Sequence, residues 1–212
     1  MKQSAFEILK SVGAILADDH FVLTSGQHTD SYVNKDGLYP HVKQTSQVCR
    51  MMAEKCQQLA VETVAAPAKG GIILSQWVAY YLSELKGQPV YGVYAEKDGQ
   101  GGFGFARGYD QYVRGKNVLV LEDLTTTGAS VKKVVELVRQ TGGKVVGVCV
   151  MLNRNPDLVN QKMFGAPFFA LEQRKIDSWS EDKMPEWLSK RPINVKVGHG
   201  REYLRNKADK IE

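Results

Sequence analysis

Asn117-Val118-Leu119-Val120-Leu121-Glu122-Asp123-Leu124-Thr125-Thr126-Thr127-Gly128-Ala129-Ser130 is the stretch that decides the fold of this chain. Val118 to Leu121 is an uninterrupted apolar run, the pattern of a strand buried on both faces of a parallel sheet. Two acids end the run. Three threonines and Gly128 then lead into Val131, Val134, Val135 and Val138 at helical spacing, which predicts a helix over 130–141 stopped by Gly142-Gly143.

Each part of this strand–loop–helix has a chemical use. A helix N-terminus presents unpaired backbone N–H groups and a partial positive charge, which together suit a phosphate dianion. Gly128 lets the backbone come close to such an anion, and the threonine and serine hydroxyls add donors. Glu122 and Asp123 would be repelled by the same phosphate. They are expected to face hydrogen-bond donors or a cation, and a ribose diol with Mg²⁺ beside it meets that need. A Walker loop would require Gly-Lys-Ser/Thr and a Rossmann fingerprint Gly-x-Gly-x-x-Gly, and neither stands here.

Outward from this stretch the same alternation recurs. Residues 63–66 read as a short strand closed by Pro67, with a loop at Lys69-Gly70-Gly71, a helix over 72–85 and a strand over 90–94. Helical patterns cover 3–16 and about 45–59, and buried strands are expected over 145–152 and near 168–171. The repeated βαβ plan predicts an α/β fold, a mostly parallel twisted sheet flanked by helices, with ligands at the carboxyl ends of the strands. Phe21-Val22-Leu23 and Tyr32-Val33-Asn34 read as a hairpin or short strand pair within about residues 1 to 40. Residues 95–114, with Gly99, Gly101, Gly102, Gly104 and Gly108, break every pattern and are expected to be functional or mobile. The division expected is a main domain over 1–174 and an ordered, polar C-terminal extension over 175–212.

Composition narrows the class. The 212 residues carry a net charge of +5, without a clustered basic patch or an aromatic RNA-binding motif, so nucleic acid is not an expected partner. No apolar run approaches about 18 residues, and no membrane span is expected. The N-terminus lacks the apolar run of a signal peptide. Cys49, Cys56 and Cys149 form no Cys-x-x-Cys and read as free thiols of a cytoplasmic protein. The four histidines show no metal-ligand spacing.

The residues Glu122 to Ser130 resemble the PRPP-binding motif of the type I phosphoribosyltransferases, where PRPP is 5-phosphoribosyl 1-diphosphate. Within that family the chain is most similar to the orotate-specific members, over about residues 5 to 172. Phe21 to Gly26 with Tyr32 to Asn34 resembles the hood that covers the base. Pro67-Ala68-Lys69-Gly70-Gly71 resembles the diphosphate loop, and Tyr94-Ala95-Glu96-Lys97 the start of a flexible catalytic loop. Leu152-Asn153-Arg154 resembles the strand end whose arginine meets the orotate carboxylate. Three departures stand out: Thr24 replaces a usual lysine, the lysine of the diphosphate loop sits one place early at Lys69, and the flexible loop begins Glu96-Lys97, with Arg107 its next cation.

The resemblance implies the type I phosphoribosyltransferase fold and a Mg²⁺-dependent transferase making orotidine monophosphate from PRPP and orotate. It implies that Glu122, Asp123, Leu124, Thr125, Thr126, Thr127, Gly128, Ala129 and Ser130 bind PRPP together with Lys69, Gly70 and Lys97. Lys97, Lys69, Asp123 and Arg107 are the catalytic candidates. Thr24, Tyr32, Val33, Thr126 and Arg154 are the base-binding candidates. No residue is expected to ligate Mg²⁺ directly; the ion is expected to be held through PRPP near Glu122 and Asp123. A homodimer is implied as well. A phosphoribosyltransferase for another base of purine type, and a non-catalytic PRPP-sensing regulator, are the alternatives.

Overall fold

The computed structural model describes residues 3–23 and 25–209. They cluster into two compact units. One holds the residues up to Ile8 with Tyr39–Lys175; the other holds Leu9–Leu38 with the residues from Ile176 on. No helix among the described residues is long and apolar enough to cross a membrane.

Helix α1 (Ala5–Ser11) opens the chain. It is shorter than the helix expected over 3–16. Gly13 takes a φ of 68°, and the Ala14 N–H reaches back to the Leu9 carbonyl at 2.9 Å, which closes the last turn. Strand β1 (Ile15–Leu16) follows, then β2 (Phe21–Val22), β3 (His28–Thr29) and β4 (Tyr32–Val33). The strand pair expected between Phe21-Val22-Leu23 and Tyr32-Val33-Asn34 does not form. A tight turn, with Gly26 N–H on the Leu23 carbonyl at 2.9 Å, brings β3 back against β2, and β4 pairs antiparallel with β1.

The larger unit runs α2 (Val42–Cys56), β5 (Thr63–Pro67), α3 (Gly70–Lys86), β6 (Tyr91–Lys97), β7 (Phe103–Gly104), β8 (Asn117–Thr125), α4 (Ala129–Gln140), β9 (Lys144–Asn153), α5 (Gln161–Phe164) and β10 (Phe168–Gln173). Its six-stranded sheet has the order β10-β9-β8-β5-β6-β7. All neighbours are parallel except β7, which runs antiparallel on the β6 edge. After β5 the chain steps outward to β6 and β7, then returns to the other side of β5 with β8 and steps outward again. The strand order therefore reverses between β5 and β8, and at such a switch point the two carboxyl ends diverge to leave a crevice. The apolar run Val118 to Leu121 is buried in β8, and Val131, Val134, Val135 and Val138 bury one face of α4 against the sheet. Each such side chain contributes roughly 1.5–3 kcal/mol by leaving water. That packing holds the start of α4 beside the end of β8.

Residues 95–114, where the sequence showed no pattern, carry short regular elements. β6 continues to Lys97 and turns back through β7, and a 3₁₀ turn follows at Tyr109–Tyr112. The Asp98 Oδ1 accepts the N–H groups of Gln100 at 2.8 Å and Gly102 at 2.9 Å. Gly99 and Gly101 supply the positive φ that this turn needs. Phe103, Phe105 and Tyr109 then pack against the buried valines. Gly99 and Gly101 serve this hairpin, Gly108 precedes the 3₁₀ turn, and the aromatics anchor the segment.

The tail adds a 3₁₀ turn, α6 (Glu186–Ser189) and α7 (Gly200–Ala208). His28 and Trp179 exchange backbone hydrogen bonds of 2.8 and 2.9 Å. The Asn194 N–H donates to the His20 carbonyl, and the His199 N–H to the Val22 carbonyl. Strands of two residues bury too little to stand alone. The tail supplies their missing partners, so two stretches read separately in the sequence, hood and extension, form one unit.

Candidate active site

The site lies where β5 and β8 end. β8 delivers Glu122 and Asp123, and the chain enters α4 through Thr126, Thr127 and Gly128. Thr126, Thr127, Ala129 and Ser130 are exposed. Gly128 sits in the left-handed region at φ 74° as the N-cap of α4. It has no side chain to cap the helix, and no acid occupies the first turn. The Ala129 N–H makes a long contact of 3.4 Å with Thr127 Oγ1. A helix end of this kind suits an anion, the role expected of it from the sequence.

The two carboxylates are less open than the sequence reading required. Asp123 is 1% exposed and Glu122 7%. Asp123 Oδ1 accepts the Leu124 N–H at 2.6 Å, and Oδ2 accepts the Tyr39 hydroxyl at 2.9 Å. Glu122 Oε1 accepts the Asp123 N–H at 3.2 Å. A buried carboxylate has to be paired, and Tyr39 meets part of that demand. No signal in the sequence pointed to Tyr39, because it lies 84 residues from Asp123.

Across the crevice the β5 loop turns through a cis Ala68-Lys69 peptide into α3. Gly70 lies so near Asp123 that a Cβ on it would stand 1.9 Å from Oδ2. The Ala68 N–H donates to the Ala95 carbonyl at 2.8 Å, which ties this loop to β6. Lys69 and Lys97 are both exposed. On the other side of β8, Thr125 stands in register with Asn153 of β9, and the Arg154 N–H donates to the Thr125 carbonyl at 2.8 Å. Arg154 is 7% exposed, so it is no solvated surface arginine. Its strand end is clamped by the fully buried Asn153, whose amide donates to the Val159 carbonyl at 2.9 Å and accepts the Asn155 N–H at 3.1 Å.

The structure thus brings together Glu122 to Ser130, Lys69, Gly70 and Arg154. Lys97 and Arg107 belong to the β6–β7 hairpin and the segment after it. Lys133, in the second turn of α4, donates its Nζ to the Gly101 carbonyl at the hairpin tip, a tether that sequence reading missed. Arg107 lies 3.4 Å from the Glu96 carboxylate, which holds the guanidinium above its ordinary pKa. Both members of this pair are exposed, so it adds little to stability. Tyr32 and Val33 lie in the smaller unit, where Tyr32 stacks near Phe21 at 5.6 Å between ring centres and Val33 is buried. Thr24 lies outside the described residues.

Comparison with known proteins identifies the family. The profile of the phosphoribosyl transferase domain family matches residues 38–166. Orotate phosphoribosyltransferase of Caldanaerobacter subterraneus subsp. tengcongensis is 32% identical over 184 residues, 87% of this chain and 90% of that protein. The enzyme of that name from Thermotoga maritima is 35% identical over 180 residues, 84% of this chain and 89% of that protein. Among solved structures, Mycobacterium tuberculosis orotate phosphoribosyltransferase in complex with Fe(III) dicitrate superposes with a TM-score of 0.65 at 22% identity, covering 80% of this chain and 95% of that one.

Proposed function

This chain belongs to the phosphoribosyltransferase family, and from that premise we propose that it transfers the 5-phosphoribosyl group of PRPP to orotate, giving orotidine monophosphate and diphosphate in pyrimidine nucleotide synthesis. The observation that carries this reading is the switch-point crevice. There an uncapped helix N-terminus, two carboxylates and the Lys69-Gly70 loop meet in one unit.

In this reading a ring nitrogen of orotate displaces diphosphate from C1 of the ribose. The amides and hydroxyls of Thr125 to Ser130 hold the 5′-phosphate, and Asp123 with Glu122 holds the sugar hydroxyls. Positive charge develops on the ribose and negative charge on the leaving diphosphate. Lys69 and Lys97, with Arg107, offset the latter where water is excluded. Arg154 reads the orotate carboxylate through a two-pronged fork, with Thr126 beside it.

The family's Mg²⁺ fits this donor set only in part. Among the described residues no group of three or more His, Cys, Asp or Glu could hold a metal ion. Glu122 and Asp123 are the carboxylates at the crevice, and the remaining oxygens a Mg²⁺ requires would come from diphosphate and sugar. When bound, the ion neutralises charge growing on the diphosphate.

The proposal includes a homodimer and a cytoplasmic location. Tyr80, Leu85 and Tyr91 are large apolar side chains left exposed on α3 and β6, a surface suited to a second copy. The three cysteines are free and buried, as in a reducing compartment. Sedimentation of the purified chain checks the first point.

A diphosphate-release assay with PRPP, Mg²⁺ and a panel of free bases tests the reaction. Release with orotate and not with purine bases is the expected result. Release with a purine alone would reassign the base, and PRPP binding without release under any base would make the chain a regulator.

A further inference from the structure

We propose that the Tyr39 hydroxyl is a resident stand-in for a ribose hydroxyl. It holds Asp123 while no donor is bound and gives way when PRPP arrives. The inference rests on the reading of this crevice as a PRPP site and adds to it a residue that the reading did not contain.

Three observations carry it. The Asp123 carboxylate is almost wholly buried, yet the proposed reaction requires it to meet a sugar hydroxyl. One of its oxygens, Oδ1, is engaged by the Leu124 N–H at 2.6 Å. The other, Oδ2, is engaged by Tyr39 at 2.9 Å, through a phenolic O–H that donates one hydrogen bond to the carboxylate, as a ribose hydroxyl would. Space around that oxygen is equally restricted. A Cβ built on Gly70 would stand 1.9 Å from Asp123 Oδ2 and 2.9 Å from the Tyr39 oxygen, so the three groups share one small volume. A sugar hydroxyl bonding to Oδ2 has to enter that volume, and the movable group there is the tyrosine side chain.

The stand-in makes a prediction that runs against a merely structural role. Tyr39→Phe keeps the ring and removes only the competing donor. The free enzyme then holds a carboxylate short of one hydrogen bond, which the ribose supplies on binding. PRPP in the presence of Mg²⁺ is expected to bind roughly fivefold tighter or more by calorimetry. The KM for PRPP is expected to fall while kcat changes less. A tyrosine that only supports the fold, or one that stays bonded to Asp123 in the complex, gives unchanged or weaker binding, and either result overturns the proposal. Incorporation of a monofluorinated tyrosine at position 39, whose hydroxyl is a stronger donor, serves as the second variant and is expected to weaken PRPP binding; tighter or unchanged binding there also overturns it. Asp123→Asn is measured alongside. If that change leaves PRPP affinity intact, the ribose role of Asp123 itself fails. If it weakens binding while Tyr39→Phe does not strengthen it, the site reading survives and the stand-in is discarded.

Discussion

Gly70, which opens α3, and Asp123, near the end of β8, are in such close contact that no side chain fits between them: a methyl on Gly70 would stand 1.9 Å from the Asp123 carboxylate. The carboxylate cannot swing away freely, because the Leu124 amide and the Tyr39 hydroxyl hold its two oxygens. Gly70→Ala therefore displaces Asp123. Overpacking of this kind costs about 1–3 kcal/mol. The variant is expected to unfold at lower temperature and to bind PRPP at least about tenfold more weakly, by calorimetry. Wild-type affinity would show that the Asp123 carboxylate does not touch the donor.

Gly128 offers a second test at the same loop. At φ 74° it occupies a region that costs an L-residue roughly 1–2 kcal/mol. An added Cβ would also meet the Met163 sulfur at 2.4 Å, although that side chain can shift. Gly128→Ala is expected to lower stability by about 1–2 kcal/mol and to turn the first-turn amides of α4 away from the phosphate. Denaturant melts and titration with ribose 5-phosphate read the two effects separately. Unimpaired ribose 5-phosphate binding would remove the helix N-terminus from the phosphate site.

Arg154 separates base recognition from donor binding. Arg154→Ala is expected to raise the KM for orotate about a hundredfold, in line with loss of a charge-assisted pair of hydrogen bonds, and to change the KM for PRPP far less. Equal increases in both constants would mean that Arg154 supports the loop and does not read the base.

The smaller unit has its own titratable pair. His20 Nδ1 lies 3.0 Å from the Arg191 carbonyl, which can only accept, so that nitrogen carries the proton. His20 Nε2 is then an acceptor and takes the Nδ1–H of His28 at 2.7 Å. The lone pair of His28 Nε2 is left buried with no hydrogen-bond partner among the described residues. Burial comes first in holding His28 below its ordinary value of 6.5, and electrostatic repulsion between the two imidazoles second; Glu181 opposes and Lys207 assists. A histidine with a depressed folded pKa binds fewer protons folded than unfolded. Its contribution is present above about 6.5 and is lost as pH falls from there through the folded pKa. Hydrogen exchange in the segments around Trp179 and Tyr203 is expected to speed up between pH 7 and pH 5 beyond the intrinsic chemical trend, and His28→Gln to flatten that dependence. A slope unchanged in the variant would assign the pH sensitivity to other groups.

Much of the candidate donor site was legible because its parts are neighbours in the chain. The apolar run to Leu121, the two acids, Gly128 and the valine face of α4 lie within a few turns of one another, and each acts through local backbone geometry. Residues 95–114 show where local reading fails. The glycine-rich composition masked a hairpin held by Phe103 and Phe105 packing on distant valines and by Lys133 at its tip. The hood failed in the same way: Tyr32–Val33 carries a strand pattern, but nothing local distinguishes Ile15–Leu16 from Phe21–Val22 as its partner.

By itself, then, the sequence determined the parallel α/β layering and the glycine turn before α4, the proposed phosphate site, since hydrophobic period and helix-end polarity are properties of short segments. Only the tertiary structure decided what those parts meet. It set the order that reverses between β5 and β8, put Tyr39 on Asp123 and Gly70 against both, and wove the tail into the hood. Such contacts join residues far apart in the chain, and they are selected by packing and by the need to pair buried polar groups, which no short window of sequence records.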